Sequence, residues 1–142
     1  MPVIVVTRLR LRDPALLDEF FTHAVALIEQ ATNSEGNLGV DALAEAHDAW
    51  WSVTAWQNRS HMQAFVDTEP HLGTEALLDH LCDEATFVDW EQADSDLPDW
   101  QTSWRRLVAD GYSAILTDES GANQTRAFPA PVEPPSSIAS PM

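Results

Sequence analysis

The sequence predicts one α+β domain, a four-stranded antiparallel sheet in split βαβ order with helices on one face. Three observations predict it. The first residues alternate at the two-residue period of a strand and pass directly into apolar residues at helical spacing. Two further alternating stretches lie side by side in mid-chain, and a fourth follows another helical segment. At 142 residues, 44% hydrophobic and with six tryptophans, the chain is sized for a single core.

In the first strand Val3, Val5, Thr7, Leu9 and Leu11 point one way, and Ile4, Val6, Arg8, Arg10 and Arg12 the other. Asp13-Pro14 supplies an N-cap and a proline at the first helical position. Leu17, Phe20, Phe21, Ala24, Leu27, Ile28 and Ala31 then predict an amphipathic helix over 14–32. Asn33-Ser34-Glu35-Gly36-Asn37 has the residues of a loop. Strands over 38–45 and 47–56 are close enough to form an antiparallel hairpin. On the second of these, Trp50, Ser52, Thr54 and Trp56 share a face and Ala49, Trp51, Val53 and Ala55 the other. Neither face reads as solvated, so this strand is expected to be covered on both sides.

Asn58-Arg59-Ser60 opens a short helix carrying Met62, Phe65 and Val66 inward, and Thr68-Glu69-Pro70 opens another that runs to about Leu81. Residues 84–91 alternate as a fourth strand. Leu97-Pro98-Asp99 starts a last helix, with Trp100, Trp104, Leu107 and Val108 on one side, where the two tryptophans pack on the domain, and Gly111 at its end. The order β-α-β-β-α-α-β-α is that of a ferredoxin-like sheet. The uncovered sheet face is apolar and aromatic, and a second copy of the chain is the usual cover for such a face. The domain is expected over residues 1–111. Residues 112–142 lose periodicity, become rich in Pro, Ser and Ala from Pro129 onward, and are expected to form a flexible tail.

Composition excludes several classes. A net charge of −16 with no lysine repels nucleic-acid phosphates and anionic lipid, so neither nucleic acid nor membrane is an expected partner. No apolar run reaches the roughly 20 residues of a membrane-spanning helix. The first strand has its arginines at its end, unlike a secretory signal, so a cytoplasmic location is expected. Cys82 is the only cysteine, which excludes an internal disulfide and an all-thiolate metal site. It reads either as a nucleophile or, more simply, as a small buried hydrophobe at a helix end. No phosphate-binding glycine loop, nucleophile elbow or metallohydrolase spacing occurs, so no metal is expected.

The stretch Trp51-Ser52-Val53-Thr54-Ala55-Trp56-Gln57-Asn58-Arg59-Ser60-His61-Met62-Gln63-Ala64-Phe65-Val66, followed by Pro70-His71, resembles one element of a known family. It is similar to the strand-to-helix element of the antibiotic biosynthesis monooxygenase-like proteins, which belong to the dimeric α/β barrel superfamily. The matching order of elements extends the resemblance over roughly residues 3–92. It implies a homodimer whose sheets pack face to face, with one pocket per subunit between sheet and helices. Activities implied by the resemblance include cofactor-independent oxygenation of aromatic polyketides and haem degradation. The haem-degrading pattern has an asparagine on the first strand, a tryptophan in the short helix and a histidine after it. Here those places hold Thr7 and Arg8, Phe65, and His71, so only the histidine fits.

For chemistry, His71 at a helix start is kept neutral by the dipole and is the expected base; the plainer reading is a partly exposed histidine. Arg8 would hold a phenolate, enolate or carboxylate if its face lines the pocket. The competing reading, favoured by the many acids, is an ion pair. Trp50 and Trp56 would wall a flat ring beside Ser52 and Thr54, or else form dimer core. Phe65 and His61 complete the expected lining, and His47 is a weaker candidate. The expected activity is that of a cofactor-free monooxygenase on a small aromatic molecule. Alternatives are a haem-binding or haem-degrading protein, a non-catalytic ligand-binding dimer, and a cyclase or lyase on the same scaffold.

Overall fold

The computed structural model describes residues 1–45 and 48–132. Strand β1 (Val3–Leu11) leads through a 3-10 turn (Pro14–Leu16) into α1 (Leu17–Asn33), with the side chain of Asp13 accepting from the Ala15 N–H at the cap. Strands β2 (Asn37–Glu45) and β3 (Ala49–Trp56) form the expected hairpin. Helix α2 (Arg59–Val66) is capped by Asn58, a 3-10 turn (His71–Gly73) precedes α3 (Thr74–Leu81), and β4 (Cys82–Glu91) follows at once. Helix α4 (Trp100–Asp110) is capped by Asp99, whose Oδ1 accepts from the Thr102 N–H at 2.7 Å. Strand β5 (Tyr112–Ser113) and helix α5 (Gly121–Thr125) complete the described chain.

The sheet is antiparallel in the order β2-β3-β1-β4-β5. It has five strands where four are expected, because the two residues of β5 pair with Thr86 and Phe87 of β4. The ferredoxin-like order of the first four strands is as the sequence predicts.

The register sorts side chains onto two faces. Helices α1, α2 and α3 cover the face of Val3, Val5, Leu9 and Leu11, in two apolar clusters. One joins Leu11, Phe20, Leu78, Leu81 and Ala85, with Leu9 and Trp50 against it. The other joins Val3, Ala31 and Trp56, with Val5, Met62 and Phe65 against it. Along the strands, the Thr7–Ser52 pair falls between Leu9–Trp50 of the first cluster and Val5–Thr54 next to the second. Thr7, Ser52 and Thr54 are only half-buried, so the apolar floor is broken by a polar strip.

The opposite face is closed. Ile4, Val6, Trp51, Val53, Ala55 and Val88 are each at most 3% exposed, packed under Trp100, Leu107 and Phe128. Trp51 meets Trp100 and Phe128 edge-on, with ring centroids 6.5 and 6.1 Å away. This is the face that the sequence reading gives to a second copy, and α4 with the segment after it covers it within one chain. Residues 112–132, expected to belong to a flexible tail, are tied down at several points. The Asn123 side chain accepts from Ala85 N–H (2.8 Å) and donates to the Ala114 carbonyl (3.1 Å), and Trp104 Nε1 donates to the Phe128 carbonyl (3.0 Å). These residues pack as isolated anchors, not as a periodic face, which is why the pattern fades while the packing continues. The rest of the expected tail, residues 133–142, and His47 lie outside the described residues.

Candidate functional site

The space between α1 and the sheet is the candidate site. At one end Trp50 lies between Phe20 and Phe21, with ring centroids 5.1 and 6.1 Å away. Its indole Nε1 is buried and has no hydrogen-bond partner among the described residues. An open cleft of about 500 Å³ borders this ring, lined by Leu17, Asp18, Phe21, Thr22, Ala44 and Trp50. Phe21 is 46% exposed, an unusual placement for a large aromatic beside an apolar floor.

At the other end Trp56 is fully buried, stacked on Phe65 at 4.9 Å, and donates its Nε1–H to Thr54 Oγ1 at 2.9 Å. Phe65 in turn contacts the His71 ring at 4.8 Å. Gln30 of α1 holds the turn bearing His71: its Oε1 accepts from the His71 N–H at 2.8 Å, and its Nε2 donates to the carbonyls of Phe65 and Thr68. His71 Nδ1 is buried without a hydrogen-bond partner. Burial lowers the His71 pKa below its ordinary value, against the opposing pull of the Val66 carbonyl and Asp67. The neutral ring expected from the sequence is therefore favoured, by desolvation more than by a helix dipole, since α3 begins only at Thr74.

Arg8 is not in this space. Strand alternation and the pairings Arg8↔Trp51 and Arg8↔Thr86 put it on the α4 face, 5% exposed. It donates to Glu84 Oε1, and its guanidinium lies 4.3 Å from the Phe128 ring centroid. Arg10 and Ser120 donate to Glu84 Oε2 at 2.7 and 2.8 Å. Burial pushes the Glu84 pKa up, but these three donors outweigh it and hold the carboxyl below its usual value. Arg8 and His71 thus stand on opposite faces of the sheet, and the ion-pair reading of Arg8 is the one observed.

His61 also lies apart from an open site. Its N–H is capped by Asn58 Oδ1 at 3.0 Å, and its ring rests on Gly36, where a Cβ would stand 2.2 Å from His61 Cγ. Gly36 also has φ of +83°, so glycine is required there twice over. Trp50 and Trp56, six residues apart on one strand, are separated by about 20 Å and cannot clamp one ring between them. Trp56 serves as buried wall, while Trp50, Ser52, Thr54 and Phe65 remain on the α1 face. Asp18, Thr22 and Gln30 are contributions that the sequence pattern does not single out, and Phe21 is marked there only as part of the apolar stripe of α1. Adjacent aromatics Phe20 and Phe21 on an otherwise one-sided helix were the available signal, since only one of two neighbours can face the core.

Cys82 is fully buried and its thiol is pushed up to about 12, chiefly by desolvation, so it is an inert packing residue. Among the described residues no group of three or more His, Cys, Asp or Glu is gathered where it could hold a metal ion. No helix among them is long and apolar enough to cross a membrane.

Comparison with known proteins places this geometry. The sequence model described as antibiotic biosynthesis monooxygenase matches residues 2–77, more than half of the chain. The chain belongs to the antibiotic biosynthesis monooxygenase family. Solved structures with the same fold include Rv0793 from Mycobacterium tuberculosis (17% identity, TM-score 0.60, 66% of this chain and 97% of that one). A conserved protein from Methanosarcina mazei Go1 is similar at 17% identity and TM-score 0.58, over 66% of this chain and 94% of that one. SnoaB, a cofactor-independent oxygenase from Streptomyces nogalater, is similar at 14% identity and TM-score 0.51, again over 66% and 94%. No curated protein matches the chain. The family match ends at residue 77, so α4 and the segment closing the far face lie beyond it.

Proposed function

We propose that this chain is a cofactor-independent, monooxygenase-like enzyme whose substrate is a small, elongated aromatic molecule bound between α1 and the sheet. One observation carries the reading. The α1 face keeps a half-buried polar strip, Thr7, Ser52 and Thr54, between the residues that carry the unpartnered Trp50 Nε1 and His71 Nδ1. Buried polar atoms are rarely left without partners unless a ligand or water supplies them. Membership of the antibiotic biosynthesis monooxygenase family and the likeness to SnoaB support oxygenase chemistry over simple storage.

In this reading the ring system lies along the strands over Thr7, Ser52 and Thr54, with its reacting carbon toward the Phe65–His71 turn and its far substituent toward Trp50 and Phe21. Neutral His71 takes a proton from an activated C–H or O–H of the substrate. The resulting imidazolium is the counter-charge of the substrate anion, a role that Arg8 cannot fill from the far face. The anion transfers electrons to dioxygen, a C–O bond forms, and loss of water from the hydroperoxide leaves a carbonyl. The substrate is oxidised and O2 is reduced, one oxygen atom going to product and one to water. A second copy of the chain is given no place on the α4 face, because that face is already filled.

The test is oxygen uptake with anthrones and polyhydroxylated naphthalenes, comparing the natural chain with His71→Asn. Retained ligand binding with at least a hundredfold loss of turnover is expected, within the range for a general base. Equal turnover in the variant would remove His71 from the chemistry. Binding with no oxygen uptake by the natural chain would favour a ligand carrier.

A further inference from the structure

We infer that the α1-face cleft selects an uncharged aromatic ligand and rejects carboxylates, phosphate esters and haem; this rests on the cleft being the binding site, as proposed above. The inference comes from where the positive charge goes. The chain has seven basic side chains, all arginine, against 23 acidic ones. All seven lie among the described residues, and each is engaged away from the cleft or neutralised beside it. Arg8 and Arg10 are held by Glu84 on the α4 face. Arg12 donates to the carbonyls of Asp79 and Cys82 and meets Asp118. Arg59 is bracketed by Asp89 at 2.9 Å and Glu91 at 3.3 Å. Arg106 lies over the Trp90 ring at 4.5 Å, Arg126 donates to the Val108 carbonyl, and Arg105 stands on α4 with Asp99.

What faces the ligand is therefore neutral or acidic. In the cleft wall the Thr22 hydroxyl is already donated to the Asp18 carbonyl, the Trp50 indole N–H has no partner among the described residues, and the one charged residue is Asp18. A ligand carboxylate would lose its hydration and find no cation to replace it. It would also approach Asp18 inside a chain of net charge −16. A neutral ring with a carbonyl or hydroxyl acceptor satisfies Trp50 Nε1 at no such cost. Haem, which brings two propionates, is disfavoured by the same charge balance, independently of Phe65.

The experiment is quenching of tryptophan fluorescence by matched pairs of similar shape: 2-acetylnaphthalene against 2-naphthoate, and 2-acetylanthracene against anthracene-2-carboxylate. Haem is titrated separately by absorbance. The neutral member of each pair is expected to bind at least tenfold more tightly, with the difference shrinking as salt is raised. Asp18→Arg, a surface change on the first turn of α1, is expected to bring the carboxylates to parity. Trp50→Phe is expected to weaken the neutral ketone about tenfold while leaving the folded spectrum unchanged. Equal affinity of both members for the natural chain, binding of neither, or tight haem binding lost in Asp18→Arg, would overturn the inference. Its failure is separable from that of the catalytic reading: preference for neutral rings without oxygen uptake leaves the selectivity standing and removes only the chemistry.

Discussion

Burial sets how His71 can act, and its sign can be followed through to a measurement. The ring is desolvated against Phe65 and its pKa lies below the ordinary 6.5. Just below pH 6.5 the unfolded chain takes up this proton and the folded chain does not. This contribution to stability is complete above pH 6.5 and declines as pH falls through the folded-state value. The same shift keeps the base unprotonated further into acid than an exposed histidine. Turnover is expected to hold level down through pH 6.5, then fall on a single acid limb. A limb centred at or above 6.5, measured as kcat/KM against pH, would mean that His71 is solvated during turnover. Arg8 carries the matching lesson for residues. Its neighbour Thr7 points toward α1 and Arg8 itself does not, a distinction fixed by strand alternation once the register with Trp51 and Ser52 is known. The sequence shows the alternation plainly, but not which face the first three helices cover.

At the scale of elements, the segments with a period were legible and the one without was not. Helix α1 and strands β1 to β4 announce themselves through repeats of 3.6 and 2 that match what they bury. The segment 112–132 buries Leu116, Asn123 and Phe128 singly, among polar residues, and no periodicity marks it. The candidate site was half legible for a related reason: Trp50, Ser52, Thr54 and Phe65 follow from position on their own elements, whereas Asp18 and Thr22 join them only through the packing of α1. Asn123 tests whether that last segment is fastened as tightly as its bonds suggest. Its side chain satisfies a backbone donor of β4 and the carbonyl of Ala114, and it is completely buried. Asn123→Ala leaves both groups unpaired and is expected to cost about 1–3 kcal/mol, read from the urea midpoint. Phe128→Ala, which removes the ring between Arg8 and Trp51, is expected to cost about 3–5 kcal/mol. A loss below about 0.5 kcal/mol in both variants would mean that the segment is not part of the folded core.

For the whole molecule, covering the far face inside one chain changes what association requires. A stable interface removes roughly 800 Å² from each partner and needs an apolar centre. The residues best suited to supply one, Trp51, Val53, Val88 and Trp90, are at most 8% exposed beneath α4 and Phe128. Among the large apolar side chains left outside, Phe21 and Val25 adjoin one turn apart on α1, while Leu38, Leu72, Tyr112 and Ile115 lie on separate parts of the chain. A charge of −16 on each copy adds repulsion that grows as salt is lowered. Light scattering of the full chain at micromolar concentration is therefore expected to give the mass of one chain, 15.7 kDa, at both low and high salt. Phe128→Ala at high salt, with the aromatic face partly uncovered and repulsion screened, is the condition expected to promote pairing. A natural chain that is dimeric even at low salt would show that a surface other than the α4 face is apolar enough to join two copies. A variant that stays monomeric throughout would show that α4 alone suffices to close the sheet.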